Sequence, residues 1–192
     1  ITGVGFAPDF SWLKSRPANS GHNLSDSVRG DNKTLQSHTT NAEGTLNTIL
    51  SLDSDGFTVG TGNGYDVNKN GESIVAWNWK ANGAGVSNTN GTITSTVSAN
   101  ADAGFSIVSY TGNATNAATV GHGLSVSPEM VIVKNRDRTS NWHVGGDGVG
   151  TDNQYIDLNR TAAIDSASTG FQGFTSTVFQ LGTDTDWNAN GE

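Results

Sequence analysis

The 192-residue chain has no cysteine, one methionine, three prolines and four glutamates. Without cysteine there is no disulfide framework, no thiol nucleophile, no redox pair and no Cys-based zinc site. Lys and Arg number 10 against 18 Asp and Glu, a formal charge of −8. Neutralising phosphates takes clustered basic residues, so the balance argues against a nucleic-acid partner. No apolar run approaches the roughly 18 residues that a membrane helix needs, which argues against membrane insertion. The four histidines, His22, His38, His122 and His143, are scattered, with no His-x-x-x-His pair and no acidic neighbour at ligand spacing. No Gly-x-Ser-x-Gly elbow occurs. Catalysis draws on such groups converging in one pocket, so the chain is expected not to be an enzyme and to need no cofactor. It opens at Ile1 without the charged and apolar regions of a leader and reads as a window on a longer polypeptide.

What fills the chain is Thr, Ser, Asn and Gly, together 89 of the 192 residues. Leu, Ile, Val and Phe make up about one fifth, at the border of disorder. Five Trp, seven Phe and three Tyr place the sequence on the folded side of that border. Small polar, β-branched and aromatic residues in this mixture describe an extracellular-type β protein with many turns.

A repeat runs through it. GVGFAPDFSWLKSR at 3–16 matches GLSVSPEMVIVKNR at 123–136: Gly3 with Gly123, Pro8 with Pro128, Lys14 with Lys134 and Arg16 with Arg136, all 120 positions apart. GFTVG at 56–60 resembles VFQLG at 178–182, and DVNKNGE at 66–72 matches DWNANGE at 186–192. The first copy of that last block leads into SIVAWNWKA, whereas the second copy stands at the end of the sequence. The organisation expected is therefore the larger part of one unit over 1–80, a Gly/Asn/Ser/Thr-rich linker or edge strand over 81–100, and a second unit over 101–192 lacking its last strand.

Period-two alternation predicts strands around Phe10–Trp12, Ile74–Trp79, Phe105–Tyr110 and Met130–Val133, and a surface or edge strand over 92–98. Asp55-Gly56, Asn63-Gly64, Asn70-Gly71, Asn82-Gly83 and Asn90-Gly91 are tight-turn signals. Only Thr39 to Leu50 hints at a helical turn, with Thr40 and Glu43 at capping-box spacing. The fold class these signals predict is all-β: antiparallel β-sandwich units, jelly-roll or lectin-like, in tandem with a period of about 120 residues.

Two oxygen-rich blocks are candidate calcium loops. Asp66, Asn68 and Asn70 before Gly71 match the first half of such a loop, and Asp186, Asn188 and Asn190 before Gly191 repeat it. Trp77 stands where the bidentate Glu of an EF-hand belongs, so an Asn-Gly hairpin turn is the competing reading. Asp26 and Arg29 in HNLSDSVRG (22–30) are spaced for a local ion pair bracing a loop. The tryptophans and tyrosines offer platforms for sugar rings, or else core and subunit-interface packing. Tyr65 beside the first loop, and Trp187 with Asp186 and Asn188 in the second, are the candidate glycan contacts, since stacking needs an exposed ring with polar side chains beside it.

In succession, WLKSR (12–16), HNLSDSVRG (22–30), TTNAE (39–43), SDGFTVG (54–60), NGESIVAWNWKA (70–81), FSIVSYTGN (105–113) and VGHGL (120–124) resemble a β-rich repeat domain. That domain is found in tail-fibre and other virion structural proteins of marine bacteriophages, and the resemblance covers nearly the whole chain. It implies a virion component repeated in tandem, often beside lectin-like modules, with other virion subunits as partners. Location in the virion, a homo-oligomer with trimer as the commonest form, and a host-surface glycan as ligand follow from the same resemblance. The second unit departs from the pattern, with GGDGVGTDN (145–153) in place of the DSVRG block. A secreted carbohydrate-binding module, or the appendage of a glycan-active enzyme, is the alternative.

Overall fold

A computed structural model describes residues 1–17, 19–61 and 67–192. Among these, fifteen short strands carry the fold and every pairing between them is antiparallel. An all-β chain of antiparallel sheets is what the alternating, turn-rich sequence predicts.

In the first half, β1 (Phe10–Ser15) lies between β2 (His22–Asp26) and β5 (Ile74–Trp79), while β3 (Ile49–Asp53) and β4 (Gly56–Val59) form a hairpin. Alternation on β1 sends Leu13 into a core with Ile49, Phe57 and Val67. Next come β6 (Val86–Asn88), β7 (Ser95–Asn100) and β8 (Phe105–Tyr110) as one sheet, then β9 (Ala118–Gly121). In the second half β10 (Val131–Val133), β11 (His143–Gly145), β12 (Gln154–Asp157) and β13 (Asp165–Ser166) form a four-stranded sheet. The hairpin of β14 (Phe171–Phe174) and β15 (Val178–Leu181) pairs with β9, and α1 (Thr185–Asn188) follows.

The halves correspond in detail. The β3–β4 hairpin has a register break between Ile49 and Ser51, and β14–β15 has one between Phe171 and Gly173, 122 positions on. Gly60 donates its N–H to Thr48 O at 2.9 Å, and Gly182 donates to Gly170 O at 2.6 Å. Lys14 Nζ donates to the carbonyl of Ser15, as Lys134 Nζ does to that of Asn135. Glu72 accepts from Ser15 Oγ at 2.6 Å, and Glu192 accepts from Asn135 Nδ2 at 3.1 Å. Gly71 and Gly191 have φ of +81° and +84°, where glycine alone sits without strain. In the second core, Val133, Phe171, Phe179 and Trp187 stand for Leu13, Ile49, Phe57 and Val67.

Three sequence expectations are corrected. Thr39 to Leu50 contains no helix; Glu43, spaced to cap one, instead binds two arginines. The span 92–98 is not a surface or edge strand: within 81–100 β6 lies at the edge of its sheet, but β7 is the central strand, with Val97 and Ser98 buried. Its Thr/Ser content suggested a wet strand, but the hydroxyl of Ser98 is satisfied inside, accepting from Asn82 N–H at 2.8 Å. The Asn70-Gly71 turn does not close a hairpin either, since β4 pairs with β3 and β5 pairs with β1.

The halves are tied together. Arg29 contacts Asp26 at 2.5 Å and Glu43 at 3.2 Å, and Glu43 also pairs with Arg136 of the second half at 3.0 Å. The Asp26–Arg29 pair predicted from spacing is thus part of a larger network. Burial pushes the Glu43 carboxyl up, but the hydrogen bond from Arg136 and the charges of both arginines outweigh it and hold the group below its ordinary value. Beside this network Trp142 packs on Leu24 and Leu35 and donates its indole N–H to Gln36 O and Thr39 O, both at 3.1 Å.

Candidate ligand platform

On β1, Phe10, Trp12 and Lys14 share the face opposite Leu13. Antiparallel pairing sets Trp79 beside Phe10 and Trp77 beside Trp12. The rings meet edge to face, 5.3 Å between centroids for Phe10–Trp79 and 6.2 Å for Trp12–Trp77. Phe105 from β8 lies nearly parallel to Trp79 at 6.0 Å. The result is a continuous aromatic strip in which Trp77 and Trp79, on the outermost strand of the sheet, remain 45% and 36% exposed.

At its other end, Trp12 Nε1–H donates to His22 Nδ1 at 2.8 Å, and the His22 backbone N–H donates to His38 Nδ1 at 3.1 Å. An indole or amide N–H only donates, so each Nδ1 holds its lone pair and the ring proton sits on Nε2. Burial lowers the His22 pKa, helped by the charges of Lys14 and His38; burial also lowers that of His38. Both rings are neutral at neutral pH, and each carries one N–H donor. Flat π faces beside neutral donors suit the C–H face and hydroxyls of a sugar, because the negative ring face attracts weakly positive C–H groups.

The structure redistributes the residues singled out in the sequence. Trp187 is not a platform: it is 4% exposed, stacks on His143 at 4.3 Å and meets Phe171 edge-on at 4.6 Å. The physical reason is local, since Asp184 caps α1 by accepting from Asp186 N–H at 2.9 Å and the resulting turn directs the ring inward. Asn188 is fully buried and its side chain is committed, donating to Thr115 O and Gly182 O and accepting from Asn113 N–H. It is therefore corrected as both a glycan contact and a calcium ligand. Asp186 faces His143 Nε2 at 3.3 Å, while Asn190, Asn68 and Asn70 are exposed. Among the described residues no group of three or more His, Cys, Asp or Glu is arranged to hold a metal. Tyr65 and Asp66 lie outside the described residues.

Sequence reasoning missed the acidic surroundings of His143. Its Nδ1 lies 2.8 Å from Asp157 Oδ1, across from it on β12, though neither atom finds a well-aligned hydrogen bond. Asp157 is also held by Arg160 at 2.9 Å. The first half has an amide pair at this place, Gln36 Nε2 donating to Asn23 Oδ1 at 3.3 Å. Only strand pairing brings such residues together, and linear spacing carries no signal for it.

Comparison with curated proteins and with solved structures finds no match. One family model does match, over residues 1–192, and the chain belongs to that family, a domain of unknown function, DUF7483.

Proposed function

We propose that the chain is a structural module of a phage tail fibre or tail-associated protein, and that it meets host-surface glycan on the face bearing Trp77 and Trp79. The observation that carries the reading is the exposed pair of indoles, side by side on an outer strand and backed by Phe10, Trp12 and Phe105. Large aromatic faces left at the surface of a polar chain mark a binding area. The acidic, cysteine-free composition, the resemblance to virion repeat domains and the recurrence of one strand plan in both halves support a fibre component. In this reading the halves are tandem sandwich-type units, the assembled fibre is a homo-oligomer, and the module performs no chemistry of its own. Strand β10 pairs on one side with β11, while its counterpart β1 is paired on both sides, so β10 is where a neighbouring strand joins.

A glycan array probed with the assembled protein tests the attachment. Binding to surface glycans that Trp77→Ala removes, with folding unchanged, is the expected result. Wild-type binding by Trp77→Ala, or no glycan bound while host attachment persists, would overturn the adhesive role and leave the scaffold role.

A further inference from the structure

The sheet formed by β14, β15 and β9 carries a groove of about 300 Å3 lined by Thr119, Asp152, Gly173, Phe174, Val178 and Gln180. Gly173 stands opposite Gln180, and Gln180 opposite Thr119, so the three share one row on one face. Glycine is what opens the groove. A Cβ at Gly173 would meet nothing closer than Gln180 Oε1 at 3.8 Å and Asp152 Oδ1 at 4.0 Å. Two oxygen acceptors, one of them a carboxylate, thus flank an open floor.

The other hairpin is arranged differently. At the Gly173 and Gln180 positions it has Ser51 and Thr58, whose hydroxyls both donate to Asp53 at 2.8 Å. There the carboxylate is satisfied by the protein's own hydroxyls; around Gly173 the side chain that would close the surface is missing.

We propose that this groove binds a single neutral sugar ring, with adjacent hydroxyls donating to Asp152 and Gln180 and the C–H face against Val178, which shares the Gln180 face of β15. The lining decides the chemistry. An anion would meet the Asp152 carboxylate with no cation in the lining to balance it. A purely apolar ligand would strip water from two acceptors and give nothing back. A cation of calcium type takes six to eight oxygens, more than one carboxylate and one amide supply. A polyol with an apolar face fits all three elements. The site is separate from the Trp77–Trp79 face, so either stands if the other fails.

Gly173→Val is the decisive variant. Gly173 is not among the glycines with positive φ, its Cβ direction is clear, and its counterpart Ser51 already carries a side chain. The substitution fills the groove without straining the strand. Titration of the isotope-labelled chain with glucose, galactose, mannose and N-acetylglucosamine is expected to give saturable shifts of the Gly173, Gln180 and Asp152 amides with at least one of them. Those shifts should vanish in Gly173→Val, weaken roughly tenfold in Asp152→Asn and persist in Trp77→Ala. No saturable shift with any of the four sugars, or unchanged binding by Gly173→Val or Asp152→Asn, would overturn the proposal.

Discussion

In the first half, Leu13, Ile49, Phe57 and Val67 close a small core. In the second, Val133, Phe171, Phe179 and Trp187 take the same places in a larger one. The exchange of Val67 for Trp187 does not come alone. Thr48, buried under the first hairpin and hydrogen-bonded to Thr34, is replaced by Gly170, where a Cβ would come within 2.8 Å of the Trp187 ring. Asn23 and Gln36 are replaced by His143 and Asp157, and the imidazole provides the flat surface on which the indole stacks. One backbone plan therefore accepts two side-chain solutions, provided that size gained at one place is given up at another. The tryptophans differ in exposure as well: Trp77 and Trp79 on β5 present their rings to solvent, whereas Trp142 and Trp187 lie inside.

The largest effect should come from emptying the larger core. Trp187→Ala is expected to cost about 4 kcal/mol and Val67→Ala about 2, since the cost follows the volume removed and how far the site collapses. Chemical denaturation measures both; equal costs would mean that the two residues do not hold equivalent positions.

Next is the link between the halves. Glu43→Ala leaves Arg29 buried beside Asp26 alone and frees Arg136, and is expected to cost about 3 kcal/mol. The folded Glu43 carboxyl titrates below its ordinary value of 4.5, so its contribution is complete above that pH. It is lost as pH falls through the lower, folded value. Denaturation midpoints of the wild type should fall in that acid window more steeply than those of Glu43→Gln, and parallel curves would remove Glu43 from the account.

The smallest effect is a coupling. Gly170→Thr alone overpacks the indole, and Trp187→Val alone leaves a cavity. Together they restore the first half's combination, so the double variant should be more stable than the sum of the singles by about 1–2 kcal/mol. Additive costs would break the correspondence between the two cores.

Much of this was legible in the sequence wherever alternation was strong. Phe10–Trp12, Ile74–Trp79, Phe105–Tyr110 and the Met130–Val133 run all lie on or beside strands, because a period of two fixes which side chains face inward. The offset of 120 was legible from Pro8/Pro128, Lys14/Lys134 and Gly71/Gly191. Burial of polar residues was not, since Ser98, Asn188 and Thr48 are satisfied by partners distant in the chain. Trp187 looked exposed because Asp, Asn and Gly surround it. The cap at Asp184, which turns the ring inward, is a local signal only once the helical turn is known. Trp77 and Trp79 presented the opposite problem: they sit on a strongly apolar strand, and whether that strand lies inside or at an edge depends on pairing that no local pattern contains.

The contrast between outward and inward tryptophans is the centre of the account, and the chain's five indole N–H groups report on it directly. In a proton–nitrogen spectrum, a bound glycan is expected to shift the indole signals of Trp77 and Trp79, with Trp12 responding less. Trp142 and Trp187 should stay unmoved and protected from solvent exchange. A glycan that shifts Trp187, or one that binds and leaves Trp77 and Trp79 untouched, would contradict it.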